Sequence, residues 1–356
     1  MSGTPKKEAT LGDVARAAGI SRVAASYALR NLPGVSEATR QSVRKIAERL
    51  NYRPDARIAT QMASVRSAKA RERLPIAWLN TGYSRNVWSR LKYLSPYLEG
   101  ARKYCDEMGY RLDEFWLKEP GLNEARISQI LFNRGIRGLI VAPPERFGHI
   151  HLQLRWEWFA SVSFEKAIVS PGLTQIVQDR YFNIMLCLKN ARRLGFRRIA
   201  ILIEQQSDRR AYYACQAAAF YFLSTLPEAD RLPLLYSGPK GIPKGFPAWL
   251  KRYRPDVIVG QNIQLVAALE SAGLKVPKDI GVIHTAVDDD CLSWAGIVAR
   301  KREIGMAAAE AVISLMQSHQ YGLPAIPRDI LIRGRWKEGD TLVRPPRAGS
   351  PARAAK

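Results

Sequence analysis

Five side chains near residue 25 are spaced so that they share one exposed face of a short helix. They are Arg22, Val23, Ser26, Tyr27 and Arg30. Arginine can bind the edge of guanine through two hydrogen bonds, and valine can contact the methyl group of thymine. Arg22 and Val23 are therefore the leading candidates to read bases, whereas Tyr27 and Arg30 can equally bind phosphate. The pattern predicts a surface that binds a DNA duplex.

Two helices and a tight turn must position this surface. Thr10 and Asp13 have the spacing of a capping box, which predicts a first helix of about two turns directly after Thr10. Gly19 stands where a helix most often ends in a left-handed residue. Ser21 is a good N-cap for a second helix over residues 22–30. The pattern is typical of a helix-turn-helix, whose second helix lies in the major groove.

A third helix is predicted after Val35, with Ser36 as its N-cap. Its apolar stripe consists of Val43, Ile46, Ala47 and Leu50. From these residues alone, an ordinary three-helix unit with solvated charges stays open as the alternative, because helix-turn-helix patterns are short.

Three blocks of sequence, in register with one another, resemble the lactose-repressor-like (LacI/GalR) family of bacterial transcription regulators. The blocks are Thr10-Leu11-x-Asp13-Val14-Ala15-x-x-Ala18-Gly19-Ile20-Ser21, Val35-Ser36-x-x-Thr39-Arg40 and Leu50-Asn51-Tyr52-Arg53-Pro54. The resemblance implies a DNA-binding head and adds Thr10, Ser21 and Tyr52 to the candidate DNA-binding residues. The second helix departs from the family, because Ala24-Ala25-Ser26 replaces the usual Thr-Val-Ser and removes a hydroxyl that could bind phosphate.

The resemblance also implies a hinge over residues 55–64 that becomes helical on operator DNA and inserts an apolar side chain into the minor groove. Met62 is the best match to that side chain, where the family usually has leucine. An apolar wedge fits this role because it can unstack a base step and bend the duplex. This chain has one extra residue before Met62, so Ala63 or a shifted register stays open.

The charge balance favours a polyanionic partner. The chain of 356 residues carries 55 Lys and Arg against 32 Asp and Glu, a formal net charge of +23. Residues 1–73 hold 15 of the cations and 6 of the anions, so a large share of the excess lies in the predicted head, hinge and linker. The length suggests two or three domains, and the hydrophobic content of 47% is ample for a packed core.

Several classes of protein are disfavoured. Cys105, Cys187, Cys215 and Cys291 are far apart, so we expect reduced, mostly buried thiols rather than a zinc site or a disulfide framework. The four histidines form no evident acid–base or metal set, and there is no glycine-rich nucleotide motif, so we expect neither an enzyme nor a cofactor. The polar start and the absence of a membrane-length apolar run predict a cytoplasmic protein without a membrane partner.

From residue 74 onward, the sequence predicts alternating strands and helices. The first series has strands at 74–80, 110–117, 138–142 and 160–164, with helices at 97–108, at 123–134 and near Ile150. The second has helices at 181–194, 210–226, 246–253 and 263–272 and strands at 198–203, 234–237, 256–260 and 280–284. Repeated units of this kind form parallel sheets covered on both faces. The prediction is an α/β protein with an all-α head and a two-lobed domain.

The same family resemblance implies that this domain is similar to a periplasmic sugar-binding protein, with two lobes closing on a small ligand. Its marks are Gln178-Asp179, Arg193-x-Gly195-x-Arg197-Arg198-Ile199-Ala200, Val276-Pro277-x-Asp279-Ile280-Gly281-Val282, Asp288-Asp289 and Glu303-Ile304-Gly305. The resemblance places lobe crossings near Arg192 and Lys301.

A sugar pocket needs groups that hydrogen-bond hydroxyls and an aromatic face for the ring. The resemblance places the pocket carboxylates at Asp179 and Asp288 and a polar pair at Gln261 and Asn262. Further candidate ligand-binding residues are Asn80, Gln216 and Trp88, which lies in the loop after the first strand. Tyr83 stays open as an alternative to Trp88, and each polar residue can instead tie down a loop at a strand end. Gln216 stands where many family members have an arginine, so an anionic ligand would lose its usual partner.

The predicted domains are a head and hinge at 1–64, a linker at 65–73, a periplasmic-binding-protein-like effector and dimerisation domain at 74–338, and a disordered basic tail at 339–356. We expect a homodimeric transcription regulator, a repressor, that binds palindromic double-stranded operator DNA and responds to a small effector, a carbohydrate. The alternative is a sugar-binding protein of the transport class. A protein of that class needs an export signal and lacks a DNA-binding head. Here the start of the sequence is polar and a DNA-binding head is predicted, so both observations disfavour this alternative.

Overall fold

The computed structural model describes residues 10–29, 35–50, 52, 73–86, 91, 93–143, 150–166, 168–239, 241–288 and 291–343. The chain divides into two compact units, residues 1–72 and residues 73–356. No helix in these described ranges has both the length and the apolar character required to cross a membrane.

The first unit, the head, contains three helices: α1 Leu11–Ala17, α2 Arg22–Leu29 and α3 Glu37–Arg49. They pack around a small core of buried residues: Val14, Ala15, Ala25, Ala28, Val43 and Ala47. The core is built largely from alanine and valine, which lets the short helices approach one another closely. The predicted three-helix head is confirmed.

The second unit has two lobes, each built on a six-stranded sheet. In lobe 1 the strand order is β13-β7-β5-β3-β1-β2 and all neighbours are parallel. The strands are β1 Leu74–Asn80, β2 Tyr110–Trp116, β3 Gly138–Val141, β5 Ala160–Phe164, β7 Thr174–Gln178 and β13 Asp329–Ile332. The helices are α4 Ser95–Glu107, α5 Glu124–Asn133 and α11 Lys301–Gln317. β4 Ile150–His151 and β6 Ile168–Ser170 form a separate pair.

In lobe 2 the strand order is β14-β12-β11-β10-β8-β9, and only β14 runs antiparallel to its neighbour. The strands are β8 Ile199–Glu204, β9 Leu235–Ser237, β10 Val257–Gly260, β11 Gly281–Val287, β12 Ala295–Val298 and β14 Arg335–Lys337. The helices are α6 Arg180–Leu194, α7 Gln205–Arg210, α8 Ala214–Ser224, α9 Phe246–Tyr253 and α10 Leu265–Ser271. Short 3-10 helices lie at Trp156–Trp158 in lobe 1 and Glu228–Asp230 in lobe 2.

The central strands are apolar along their length because helices cover both faces of each sheet. In β1, Ile76 and Trp78 belong to the core under α4 and α11, whereas Ala77 and Leu79 face the core under α5. In lobe 2 the same alternation divides β8 between a core with α6 and α8 and a core with α9 and α10. The predicted α/β architecture with parallel sheets is confirmed.

The chain crosses between the lobes three times. The first crossing lies at Asp179, between β7 of lobe 1 and α6, whose buried residues belong to the core of lobe 2. The crossing predicted near Arg192 was therefore placed too late, because Arg192 lies near the end of a helix that belongs wholly to lobe 2. The second crossing lies before α11, close to the predicted Lys301. A third, between β13 and β14, was not predicted.

Two other predictions need correction. The segment around Ile150 forms strand β4 rather than a helix, and Leu152 and Leu154 continue into the buried core of lobe 1. Residues 339–343, assigned to a disordered tail, instead pack on lobe 2. Thr341 is buried, and its hydroxyl donates to the Val282 carbonyl at 2.7 Å and accepts the Ala295 amide at 2.9 Å.

Candidate nucleic-acid interface and interlobe site

The start of α1 is fixed by the predicted capping box. The backbone amide of Asp13 donates to the Thr10 hydroxyl at 3.3 Å, and the Thr10 amide donates to Oδ2 of Asp13 at 3.0 Å. The Thr10 hydroxyl also donates to the same carboxylate oxygen at 2.7 Å, and these hydrogen bonds lower the pKa of Asp13. The backbone amide and the hydroxyl of Thr10 are thus both hydrogen-bonded to Asp13.

The turn between α1 and α2 has the two features that its sequence predicts. Gly19 has a φ of +65°, a left-handed conformation that glycine adopts without a Cβ clash. The Ser21 hydroxyl accepts the amide of Ala24 at 3.1 Å and thereby caps α2. Ser36 caps α3 in the same way, through the amide of Thr39.

α2 presents Arg22 and Tyr27 to solvent, with Tyr27 at 37% exposure, while Ser26 is half-buried. The Arg22 guanidinium lies over α1, because a Cβ built at Gly12 would be only 2.7 Å from Nη2 of Arg22. Glycine at position 12 therefore leaves room for this side chain. The arrangement gives α2 an exposed face with a cation at its first residue and an aromatic ring in its second half.

The other predicted DNA-binding residues are placed differently. Tyr52 is half-buried against the core of the head, and its amide donates to the Ala47 carbonyl at 2.9 Å. Partial burial raises the pKa of its phenol. Val23 lies within α2, although its side chain is outside the described structure. Arg30 and Met62 lie outside the described residues, so their assignments stay predictions.

An ion pair with 17% and 10% of its side chains accessible joins the two lobes in the second unit. Nη2 of Arg180, at the start of α6, lies 3.3 Å from Oε2 of Glu165, which follows β5. The other terminal nitrogen of Arg180 donates to the Ser207 hydroxyl at 2.5 Å and to Oε1 of Gln261 at 3.4 Å. Burial alone would lower the pKa of Arg180, but the neighbouring Glu165 carboxylate raises it. Arg180 thus fills the centre of the cleft as a paired cation.

Two further cations reach across the cleft. Nη2 of Arg210, from lobe 2, donates to the Glu165 carbonyl at 3.1 Å, and burial lowers the pKa of this guanidinium. Nζ of Lys166, from lobe 1, lies 2.6 Å from Oδ2 of Asp329 and 4.2 Å from the ring centroid of Tyr212 in lobe 2. These contacts hold the lobes together at the mouth of the cleft.

Three predicted ligand residues lie at separate cavities. Asp179 caps α6 by accepting the Phe182 amide at 2.9 Å, and it lines a cavity of about 210 Å³ beside Glu165 and Arg210. Gln261 lines a small space around Arg180. Asp288 lines a cavity of about 600 Å³ beside α4, and its carboxylate lies 2.6 Å from Nζ of Lys301. The structure therefore brings Asp179 and Gln261 near the Arg180 network and places Asp288 elsewhere.

The remaining predicted ligand residues bind their own loops. The Asn80 side chain donates to the carbonyls of Ser84 and Arg85 and accepts the Gly82 amide at 2.8 Å. Asn262 accepts the amide of Gln264 at 2.8 Å. These contacts match the alternative in which polar residues at strand ends tie down loops.

Gln216 lies at the start of α8, where its backbone amide donates to Oδ2 of Asp208 at 3.2 Å. Tyr83 is 65% exposed beside Lys118. Trp88 lies outside the described residues.

Sequence reasoning missed four charged residues of the cleft: Glu165, Lys166, Arg180 and Arg210. One signal was available, because Glu165 and Lys166 directly follow a fully buried strand, and parallel strands point their carboxyl ends at the ligand-binding crevice. Both have a positive φ, 54° and 52°, which is uncommon for residues other than glycine. Their pairing with residues of lobe 2 carries no local sequence signal.

A buried histidine lies behind Asp288. His284, within β11, accepts the Ala286 amide through Nδ1 at 3.3 Å, and the same nitrogen lies 3.8 Å from Sγ of Cys291. Burial lowers the pKa of His284, with Asp288 acting in the opposite direction and Lys301 in the same one. The side chain is thus a neutral ring within the wall of lobe 2 at neutral pH.

Two family models match the chain. Residues 10–55 match the model described as bacterial regulatory proteins, lacI family. Residues 189–342 match the model described as a periplasmic binding protein-like domain. The first covers the head through residue 55, and the second covers most of lobe 2 together with α11.

Curated relatives match over a shorter stretch. The chain is 35% identical over 104 residues to the HTH-type transcriptional repressor PurR of Vibrio atlanticus (strain LGP32), which covers 29% of this chain and 27% of that protein. The PurR of Vibrio campbellii is 34% identical over a stretch of the same size. The match therefore spans about a quarter of the length of these relatives.

Solved structures share the fold over most of the chain. The lac repressor dimer bound to operator and the anti-inducer ONPF is 18% identical, with a TM-score of 0.51 over 95% of this chain and 100% of that one. The regulator CelR, solved with cellobiose, is 14% identical, with a TM-score of 0.50 over 94% and 99%. A LacI-family regulator from Rhizobium etli is 16% identical, with a TM-score of 0.55 over 75% and 98%.

Proposed function

The chain belongs to the lacI family of bacterial regulatory proteins, and we propose that it regulates transcription by binding a specific DNA sequence. The observation that carries this proposal is the structure of the head. Its first two helices are both capped and are joined by a turn at Gly19, and the second helix exposes Arg22 and Tyr27. A helix of this kind enters the major groove with its first residues against the base edges. Arg22 and Val23 read bases, while Ser21, Ser26 and Tyr27 bind the flanking phosphates.

The protein acts as a homodimer on a palindromic operator. A single head with a helix of 8 residues reaches too few base pairs for selective binding. Two heads related by a two-fold axis add the free energies of two half-sites. Repression is the mode we favour, since the curated relatives are repressors. In this scheme the hinge over residues 55–64, with Met62 as its wedge, completes the contact in the minor groove.

A small effector binds between the lobes of the second unit. The cleft contains carboxylates, amides and guanidinium groups, which suit the hydroxyls of a carbohydrate such as the cellobiose held by the CelR structure. The cavity of about 210 Å³ beside Asp179 is smaller than the ligand sites of about 300–1,000 Å³ that are usual in proteins. In this proposal an effector enters beside Asp179 as the Glu165 and Arg180 side chains separate.

This requirement supplies a mechanism for switching. The contacts of Glu165 with Arg180 and Arg210 hold the lobes together when no effector is present. An effector that replaces Glu165 changes the lobe arrangement only to the extent that it binds one arrangement more tightly than the other. The lobe arrangement in turn sets whether the two heads of the dimer are spaced for the operator.

Selection from a pool of random duplexes tests the proposal. The full chain is incubated with the pool at moderate salt, with and without a panel of sugars, and the bound duplexes are sequenced. We expect an enriched palindrome, with one or more sugars changing its recovery. Recovery of no sequence above bulk competitor would contradict sequence-specific binding. Enrichment that no sugar alters would keep the DNA-binding function and reject the carbohydrate effector.

A further inference from the structure

On the side of lobe 2 opposite the cleft lie the amino-terminal ends of three parallel strands of its sheet. Ile199 of β8, Val257 of β10 and Gly281 of β11 are aligned in register, so their preceding loops lie side by side. Helix α6 begins at the cleft and runs back, so its last turn lies at this edge. We call the residues of these loops and helix ends the distal edge; they are 192–198, 251–256 and 275–280.

The first part of the distal edge is cationic. Arg192 and Arg193 form the last turn of α6, and Arg197 follows after the left-handed Gly195. All three arginine side chains are exposed. Arg198 is half-buried, because its guanidinium donates to the carbonyls of Tyr253 and Arg254 and ties the first two loops together.

The other two loops add five exposed cations. Lys251 and Arg252 occupy the last turn of α9, and Arg254 follows it. Lys275 and Lys278 lie in the loop before β11.

The two carboxylates at the distal edge accept hydrogen bonds from backbone amides. Oδ2 of Asp256 accepts the amides of Arg197 and Arg198 at 2.7 and 3.1 Å. Oδ2 of Asp279 accepts the amide of Lys275 at 2.8 Å. Among the described residues, none of the eight exposed cations of the edge forms an ion pair within 4.0 Å. Lobe 2 therefore presents a concentrated positive surface, with nine cations against two carboxylates in the three ranges of the distal edge.

Stabilisation of helix ends explains only part of this arrangement. Cations in the last turn of a helix interact favourably with its dipole. That accounts for the two arginines of α6 and for Lys251 and Arg252 of α9. It does not account for Arg197, Lys275 and Lys278, which lie in loops, where clustered like charges repel one another.

We propose that the distal edge is a second DNA-binding surface, which contacts the phosphate backbone of a duplex without reading its bases. A row of exposed cations without ion pairs fits a regular polyanion, because each phosphate contact releases condensed counterions. None of the exposed large hydrophobic residues of the described chain lies within the edge itself, so the surface lacks the apolar anchors of a membrane-binding face.

The test compares two fourfold variants of the full chain. The edge variant combines Arg192→Ala, Arg193→Ala, Lys251→Ala and Lys278→Ala. Fluorescence anisotropy measures binding to a random-sequence duplex between about 50 and 200 mM salt, where phosphate contacts dominate the affinity. We expect the plot of log K against log salt to lose about 3 units of slope, close to the loss of four phosphate contacts.

The control variant removes four exposed cations of lobe 1 through Lys118→Ala, Arg126→Ala, Arg134→Ala and Arg328→Ala. We expect the slope of log K against log salt for this variant to change by less than the equivalent of about one phosphate contact. If the edge variant changes the slope no more than the control does, the proposal is overturned. It is also overturned if the edge variant binds DNA normally but loses binding to phosphatidylglycerol vesicles, or only unfolds at a lower temperature.

This test is independent of sequence-specific recognition by the head. A chain that selects no operator could still lose salt-dependent binding when the edge is neutralised. A chain with an intact operator preference could equally show no contribution from the edge. The two outcomes are measured on different duplexes and can be told apart.

Discussion

Gly100 and Gly305 bring two helix backbones of lobe 1 into direct contact. A Cβ at Gly305 would lie 2.0 Å from the Tyr97 carbonyl oxygen, and a Cβ at Gly100 would lie 2.0 Å from the Arg302 carbonyl oxygen. Each glycine thus faces the backbone of the other helix, at the point where α11 enters lobe 1 and crosses α4. Any side chain at either position would force the helices apart.

We therefore predict that Gly305→Ala destabilises the protein by about 1–3 kcal/mol, the usual cost of overpacking a core. The higher helix propensity of alanine, worth about 1 kcal/mol, works in the opposite direction and limits the net loss. Urea denaturation measures the change. Glu310→Ala, at an exposed position of the same helix, serves as the control and should be nearly neutral. An unchanged midpoint for Gly305→Ala would contradict the close crossing.

Neutralising Glu165 in the Glu165–Arg180 pair is expected to lower the stability of the protein more than Gly305→Ala does. Glu165→Gln keeps the volume but leaves Arg180 as a largely buried cation without its carboxylate, at a cost on the order of 3 kcal/mol. Thermal unfolding without effector reports the loss. The exposed Arg102–Glu114 pair, with 47% and 39% of the side chains accessible, provides the control. Glu114→Gln should cost no more than about 1 kcal/mol.

The same variant tests the switching proposal. If Glu165 holds the cleft closed, Glu165→Gln should change operator binding in the absence of any sugar. Equal operator affinity of the variant and the wild type, together with the expected loss of stability, would restrict this pair to a structural role.

Arg22→Ala tests base reading by the head. We expect discrimination at one position of each half-site to fall by about 1–3 kcal/mol, with less effect on random duplex. Competition between selected and random sites measures the difference. Arg16→Ala is the matched control, because Arg16 is an exposed arginine on α1, paired with Asp13, rather than on α2. Equal losses on both duplexes would assign Arg22 to phosphate instead.

His284 predicts acid sensitivity in lobe 2. Because burial lowers its pKa below the ordinary value of 6.5, the unfolded chain binds the proton more readily than the folded one. The stability from this group is present above pH 6.5 and is lost as the pH falls towards the lower folded pKa. Chemical denaturation from pH 7.5 to 5 should show His284→Gln with a flatter profile than the wild type, while His151→Gln, at an exposed position, should change nothing. Parallel profiles for the wild type and His284→Gln would be incompatible with this assignment.

Thr341 tests the attachment of the C-terminal residues. Thr341→Val removes the hydroxyl that bonds the Val282 carbonyl and the Ala295 amide, leaving two buried backbone groups without this partner. We expect a loss of about 1–3 kcal/mol in the free energy of unfolding. Thr341→Ser keeps the hydroxyl and should lose about half as much or less, mainly through the missing methyl group. Equal losses for the two variants would mean that the hydroxyl contributes nothing.

The head was predictable because its signals act over a few residues. Thr10 and Asp13 cap one helix, Gly19 ends it and Ser21 starts the next, and each contact spans three residues or fewer along the chain. The alternating strands of both lobes were predictable for a similar reason, since their apolar runs record burial on both faces.

The rest depends on contacts between distant parts of the chain. β13 pairs with β7 by placing Asp329 opposite Gln175, a partner that no local pattern identifies. The segment at Ile150 has apolar residues that suit either a helix or a short buried strand, and tertiary packing decides between them. In the cleft, the Glu165–Arg180 contact depends on how two lobes close, so sequence patterns could supply Asp179 but not the pair.

The three crossings have a consequence for synthesis on the ribosome. Lobe 1 takes strands from residues 74–178, but α11 and β13 reach it only from residues 301–332. Until those residues leave the exit tunnel, one face of its sheet, including Ile76 and Ile140, is covered by α4 but lacks α11. The amino-terminal lobe is therefore completed late, and a nascent chain stalled near residue 300 exposes an apolar surface of the kind that chaperones bind.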